Sequence, residues 1–315
     1  MGQHVPRIGR QREGNMKTAC IIVNYNDADT TIAQIKRIRD YRSLDAVVVV
    51  DNASTDGSAA RLTEYVGGKV TLLESKSNGG YGAGNNLGVR LASEMLRAEY
   101  CLIANPDAEF SDECAAALVR NMEQHPELGV IAPVMVNPFL PVKAGIPGSR
   151  ENVLSGAAAW PLRPWLYDLL ESGPLSRRIF TGILHYPRWR YIGRKLVPVD
   201  CVPGSLLLVD TEKFLQAGGY DENVFLYGEE YMLGHSMRLL GYRTALLTEA
   251  SFLHRHGETI GKSYRKLLER QKLREKSTMY YYKEYLGINT FQELVTKLFY
   301  AAVNLEVRLF AEKGF

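Results

Sequence analysis

Asn105-Pro106-Asp107 closes an apolar run, Tyr100 to Ala104, and so places a carboxylate at the end of what reads as a buried strand. Proline cannot continue a sheet ladder and pushes the residue before it out of the helical region, so the strand has to stop there. In open α/β sheets the crevice beyond the strands' carboxyl ends is the usual ligand site, and a lone carboxylate there suits a hard cation carrying a diphosphate. Asp51 is a second such carboxylate, at the end of the β-branched run Ala46 to Val50. Two further groups come late in the chain. Glu229-Glu230 opens a helical stretch, where the helix N-terminus favours negative charge, and His254-Arg255-His256-Gly257 follows a strand-like run. Each has a plain structural reading as well: an Asx-type turn into a helix starting near Ser111, and an ordinary acidic first turn.

The elements that must position these groups alternate. Thr18 to Asn26 is a continuous apolar run ending in polar residues, the pattern of a buried parallel strand. A helix capped by Asp29 or Thr30 and running through Arg39 follows, then the Val47-Val48-Val49-Val50 strand, a short strand at Val70 to Leu73, and a helix through Ala98. The alternation predicts an α/β fold, doubly wound, with a mostly parallel sheet. Asn78-Gly79-Gly80-Tyr81-Gly82-Ala83-Gly84-Asn85-Asn86-Leu87-Gly88 opens the third helix. Leu87 occupies the last glycine position of a dinucleotide fingerprint and the segment follows the third strand, so a nicotinamide or flavin enzyme is disfavoured. A glycine-rich loop at a helix start still offers backbone N–H groups to a phosphate.

The chain has 315 residues and 46% hydrophobic content, enough for one large α/β domain. Its net charge of +3 is too small to suggest a nucleic-acid binder. Cys20, Cys101, Cys114 and Cys201 lie far apart with no Cys-x-x-Cys pair, which reads as reduced, cytosolic thiols. No apolar run approaches the roughly 20 residues that cross a bilayer, and residues 1–15 lack the apolar core of a signal peptide and read as a disordered leader.

Val23-Asn24-Tyr25-Asn26, Val50-Asp51-Asn52-x-Ser54-x-Asp56-Gly57-Ser58, the Asn78 segment and Asn105-Pro106-Asp107, in that order, resemble glycosyltransferase family 2, with its GT-A, Rossmann-like fold, as in bacterial rhamnosyltransferase-like O-antigen and capsule enzymes. The resemblance implies a nucleotide-sugar site in which Tyr25 and Asp51 hold the base and ribose. Asn24, Asn78, Gly79, Gly84 and Asn86 belong to the same donor motifs, and Asn105-Pro106-Asp107 stands in for the family's Asp-x-Asp, with Asp107 binding Mg²⁺ or Mn²⁺. Gly218-Gly219-Tyr220-Asp221-Glu222, then an aromatic stretch and Glu229-Glu230, resembles the acceptor-side motif. It implies Glu230 as catalytic base, with Glu229 as fallback, and His254 resembles the late metal-ligand histidine. One departure is Met232, where many relatives have a further acid; it motivates a competing reading as a non-catalytic nucleotide-sugar-binding subunit.

The domain expectation is therefore a GT-A unit over residues 16–260, with an acceptor-side insertion at 139–196 and a basic amphipathic helical region at 261–315. From Trp160 to Lys195 there are seven basic and two acidic residues, and from Lys262 to Lys283 eight basic and two acidic. Tyr280-Tyr281-Tyr282 follows, and Leu294, Leu298, Ala301, Ala302, Leu305 and Leu309 share one face of a last helix. Basic segments with aromatics suit an anionic membrane surface, so a peripheral protein on the cytoplasmic face and a lipid-diphosphate-linked glycan acceptor are expected.

Overall fold

The computed structural model describes residues 18–136, 159–254 and 267–312. The leader, the first part of the insertion, Arg255 to Gly257, and Lys262, Arg265 and Lys266 of the basic run lie outside the described residues.

Strands β1 (Thr18–Asn24), β2 (Ala46–Asp51), β3 (Val70–Glu74) and β4 (Tyr100–Ala104) alternate with helices α1 (Ala28–Ile38), α2 (Ser58–Thr63) and α3 (Tyr81–Glu94). All four strands are parallel, in the order β3-β2-β1-β4. After β5 (Ala108–Glu109), α4 (Asp112–Gln124) and β6 (Leu128–Val136), the insertion contributes α5 (Trp165–Ser172) and α6 (Pro174–Leu184). The chain returns through β7 (Leu196–Val199), β8 (Leu206–Asp210), α7 (Thr211–Gln216), α8 (Glu229–Leu239) and β9 (Arg243–His254), and ends in α9 (Leu267–Glu284) and α10 (Thr290–Glu312). The sheet order is β3-β2-β1-β4-β8-β6-β9-β5, with β7 also paired to β9. β8 runs antiparallel to both β4 and β6, while β6 and β9 resume the first direction.

Side chains alternate across a strand, so the all-buried β2 serves both faces of the sheet. Val48 and Val50 join Val89 of α3 and Met237 of α8 on one side. Val47 and Val49 meet Ile35 of α1 and Leu118 of α4 on the other. This double covering is the doubly wound, mostly parallel architecture that the alternation predicts. A third apolar cluster, away from the sheet, joins Leu169 of α5, Met232 of α8, Tyr281 and Tyr282 of α9, and Tyr300 of α10.

Local differences have physical reasons. α1 begins at Ala28 rather than behind Asp29 or Thr30: the Thr31 N–H donates to the Asp27 carbonyl, no side chain caps this end, and the Thr31 hydroxyl donates to Asn24 instead. Ser111 does cap α4, accepting from the Cys114 N–H at 3.2 Å. All four cysteines are buried and unpaired. Among the described residues no helix is long and apolar enough to cross a membrane.

Candidate active site

The loops after β1 and β2 are stitched together by short polar side chains. Asn24 is fully buried; its amide donates to Asp51 Oδ1 at 2.8 Å and to Ser54 Oγ at 3.1 Å, and its oxygen accepts from the Thr31 hydroxyl. Asp51, only 2% exposed, also accepts from the Ser54 hydroxyl and from the Ser54 backbone N–H. In this structure Asn24 and Asp51 therefore shape the loop, while Tyr25 stands half-buried beside them. Asn26 and Ala53 take positive φ angles of 52° and 59°, a conformation that costs non-glycine residues about 1–3 kcal/mol and persists only where surrounding bonds fix it. Ser54 and Thr55 supply those bonds to Asn26.

Next along the edge, Asn52 Nδ2 donates to Asn78 Oδ1 at 2.9 Å and to the Gly80 carbonyl at 3.0 Å. Gly80 has φ +93° and lies so close to the Phe225 carbonyl that a Cβ would overlap it, so only glycine fits. The Tyr81 N–H donates to that same carbonyl, and the Gly80 N–H to Asn78 Oδ1. Two amides at the start of α3 are thus already engaged, which narrows the expectation that this glycine loop offers its N–H groups to a phosphate. A Cβ on Gly79 would stand 2.8 Å from Ala83, and one on Gly84 2.8 Å from Val23, so Gly84 lets α3 approach β1. Asn86 clamps the acceptor motif: its oxygen accepts from the Tyr220 N–H at 2.9 Å, and its amide donates to the Tyr220 carbonyl and to Glu222.

At the end of β4 the Asn105 N–H donates to the Ser205 carbonyl at 2.8 Å, and β5 pairs antiparallel with the end of β9, Ala108 opposite His254. That register brings Asp107 Oδ1 to 3.2 Å from His254 Nε2, the two residues that the sequence suggests as metal ligands, 147 positions apart. Both are buried. A carboxylate and an imidazole fit a divalent cation whose remaining ligands come from a diphosphate and water. Among the described residues no cluster of three or more such side chains forms.

On the other side of the Gly204-Ser205 turn lies the acidic pair. Tyr227, at φ +74°, and Gly228, at φ +88°, swing the chain into α8, and Glu230 Oε1 accepts from the Gly204 N–H at 3.2 Å. Glu230 is partly buried, whereas Glu229 is 3% exposed with Oε1 unpartnered. Burial, and then the charge of Glu230, push the Glu229 carboxyl up to about 8; burial raises Glu230 as well. The Tyr81 hydroxyl donates to the Gly204 carbonyl at 2.5 Å, and burial followed by the two glutamates keeps it protonated. Sequence reading missed Tyr81 and Asn52 as builders of this site, although both lie inside quoted motifs. Met232, where a further acid was looked for, is buried against α9 and α10 in the third cluster, where a carboxylate would lack a partner.

The C-terminal helices complete this side. Tyr280 and Tyr285 donate to Asp221 Oδ2 at 3.0 and 2.9 Å, Ser277 donates to the Leu226 carbonyl, and the Arg274 guanidinium lies 5.1 Å from the Tyr227 ring centre. Tyr281 and Tyr282 are fully buried, so the expectation that the tyrosine triplet faces a membrane is corrected for those two: Tyr281 packs on Tyr231 of α8, and the Tyr282 hydroxyl donates to Asp168 of α5. In the insertion, Trp160 packs on Tyr231 with ring centres 5.9 Å apart, and Arg163 reaches both Asp168 and the Tyr231 hydroxyl at 3.4 Å.

Residues 19–143, the span that holds the donor motifs and Asp107, match the glycosyl transferase family 2 model. The chain carries a family 2 glycosyltransferase domain. Over 232 residues it is 27% identical to an N-acetylglucosaminyl-diphospho-decaprenol L-rhamnosyltransferase of Mycobacterium tuberculosis, covering 69% of this chain and 68% of that protein. It is also 27% identical to a low-salt glycan biosynthesis hexosyltransferase of Haloferax volcanii, over 67% of this chain and 58% of that one. The fold is shared with a Pyrobaculum calidifontis mannosyltransferase solved with GDP-Man and Mn²⁺ (TM-score 0.55, 17% identity, 96% of this chain and 74% of that one). It is likewise shared with GalNAc-T7 solved with UDP, GalNAc and Mn²⁺ (TM-score 0.55, 16% identity), of which this chain spans 45% against 78% of its own length. The family 2 domain thus sits on a GT-A fold.

Proposed function

We propose that this protein is an inverting, metal-dependent glycosyltransferase that moves a sugar from a UDP- or dTDP-sugar to a hydroxyl of a lipid-diphosphate-linked cell-surface glycan at the cytoplasmic face of the membrane. One observation carries the reading: Asp107 with His254, and Glu230, flank the same Gly204-Ser205 turn at the carboxyl edge of the sheet. A divalent cation held by Asp107 and His254 would offset the charge of the departing diphosphate.

Glu230 takes the proton from the acceptor hydroxyl as that oxygen bonds to the anomeric carbon and the carbon–oxygen bond to the diphosphate breaks. A single in-line displacement inverts the anomeric centre. Burial raises the carboxyl of Glu230 above its ordinary value, which strengthens it as a base, and the Gly204 N–H fixes one of its oxygens. Glu229, buried beside it in sequence and raised to about 8 by burial and then by the charge of Glu230, favours its neutral form and so spares Glu230 a like charge. The lipid-linked acceptor rests on the printed name of the mycobacterial relative.

The test is nucleoside diphosphate release and product formation with a panel of nucleotide sugars, a polyprenyl-diphosphate sugar acceptor and Mn²⁺. Glu230→Gln should lower turnover by about 10²- to 10⁴-fold while donor affinity holds; near-wild-type turnover would remove Glu230 as the base. Asp107→Asn should abolish the Mn²⁺ dependence. Donor binding with no turnover over the full panel would favour the non-catalytic subunit.

A further inference from the structure

Exposed large apolar side chains are not scattered over this molecule. Of the fifteen found among the described residues, eight fall between Leu166 and Ile192 and four between Phe291 and Leu305. Those two stretches are α5–α6 with the turn after it, and α10, and they pack on each other. The Leu175 N–H donates to Glu306 Oε1 at 2.8 Å, Trp165 Nε1 donates to the Thr296 hydroxyl, and Gly173 lies against Phe299 and Val303.

The last helix turns its leucine stripe outward. Leu294, Leu298 and Leu305, spaced to form a stripe, are exposed, Leu298 at 64%, while Thr296, Tyr300 and Val303 face the protein. In α6 Ile179 and Ile183, one turn apart, are 64% and 59% exposed, and Trp189 just beyond is 67% exposed. Such faces, left in water, are uncommon on a monomer unless something covers them. The charge around them says what does. From Pro174 to Val199 there are six basic residues and no acidic one, with Arg177 and Arg178 exposed between Leu175 and Ile179 on α6. Apolar ridges interleaved with arginine, with a tryptophan at the margin, match the boundary between anionic headgroups and acyl chains.

We infer that α6 and the outer stripe of α10 form a membrane-docking face that lies in the surface of an anionic bilayer with its leucine and isoleucine side chains inserted. This deepens the lipid-linked acceptor reading and rests on it. It moves the attachment from the basic run at Lys262 to Lys283, on which sequence reading placed part of it, to the insertion and the last helix. The face is also tied to the chemistry: α5 holds Arg163 through Asp168, and Arg163 reaches Tyr231, the neighbour of Glu230. A bilayer under α6 therefore lies against the side of the protein on which the acceptor is expected.

The experiment is flotation of the full chain with vesicles of phosphatidylglycerol and phosphatidylethanolamine at low and high salt, alongside size-exclusion chromatography. The wild type should float and keep part of its binding at high salt, since inserted apolar surface is not screened. The double variant Ile179→Glu, Ile183→Glu and, separately, Leu298→Glu should each lower the bound fraction by about tenfold or more. Leu239→Glu with Leu240→Glu, equally exposed but at the far end of α8, should not. Circular dichroism and turnover of a water-soluble acceptor analogue should stay at wild-type values in all of them. If the wild type floats and the α6 and α10 variants float equally well, the docking face is overturned while the lipid-acceptor reading stands. If the wild type ignores the vesicles, or a dimer that Ile179→Glu dissolves accounts for the face, the docking face is overturned, and the transfer assay alone then judges the acceptor.

Discussion

At the ends of β1 and β2 the loops are fastened by amides and hydroxyls, Asn24, Asp51, Asn52 and Ser54, each reaching a partner at most about thirty residues away. Around α8 the fastening is aromatic and long-range: Tyr231 and Met232 are gripped by Trp160 and Arg163 from the insertion and by Tyr281 and Tyr282 from α9. A polar lattice of short bonds holds a fixed shape for one small, invariant chemical group, such as the nucleoside diphosphate proposed here. A packed aromatic layer can be rebuilt by changing a few rings, which suits the side proposed to meet the acceptor. The contrast predicts that the two edges fail differently when cut.

The largest effect should come from the aromatic side. Arg163→Met leaves the buried Asp168 without its cation and should cost about 3–5 kcal/mol, seen as a lowered thermal midpoint and weaker acceptor use. Donor binding should change little. Asn52→Ala, which releases Asn78 and the Gly80 carbonyl, should cost about 1–2 kcal/mol and instead weaken donor binding. If the two variants were to exchange these signatures, the division of labour between the edges would be wrong.

The third effect depends on pH. The Glu229 carboxyl is raised from 4.5 to about 8 by burial and then by Glu230, so folding favours its protonated form. Stability from this group is complete below 4.5 and is lost as pH rises through about 8. Glu229→Gln keeps a neutral side chain at every pH, so its advantage in melting temperature over the wild type should be absent in acid and widen up to about pH 8. A constant offset across that window would show that Glu229 titrates normally.

The polar edge was legible in the sequence because its partners sit within the motifs themselves: a buried apolar run that ends in Asn, Asp or Ser announces both the strand and the loop. Asp107 and His254 were legible singly, and the β5–β9 pairing that joins them was not, since a two-residue strand leaves no periodic signal. Asn24 and Asp51 were expected to contact the donor; the bonds by which they tie the two loops together are a second use of the same residue types that sequence does not announce. The aromatic edge was opaque for a related reason. A tyrosine triplet and a leucine stripe can face either protein or lipid, and α10 turned its longer apolar side outward because Thr296 and Tyr300 found partners in Trp165 and the third cluster.

The reversed strand β8 carries a consequence for how the chain assembles. β4 is the last of four parallel strands laid down by residue 104, but its free edge is closed only by Leu206–Asp210, about a hundred residues later. During synthesis the first half of the sheet must stand with that edge exposed while the whole insertion emerges, and an unpaired, wholly apolar edge is a template for wrong pairing. Asn105-Pro106 lies at the end of that edge, where a proline cannot extend a foreign ladder. The turn that carries the proposed metal ligand Asp107 thus also guards the open seam of the half-built sheet.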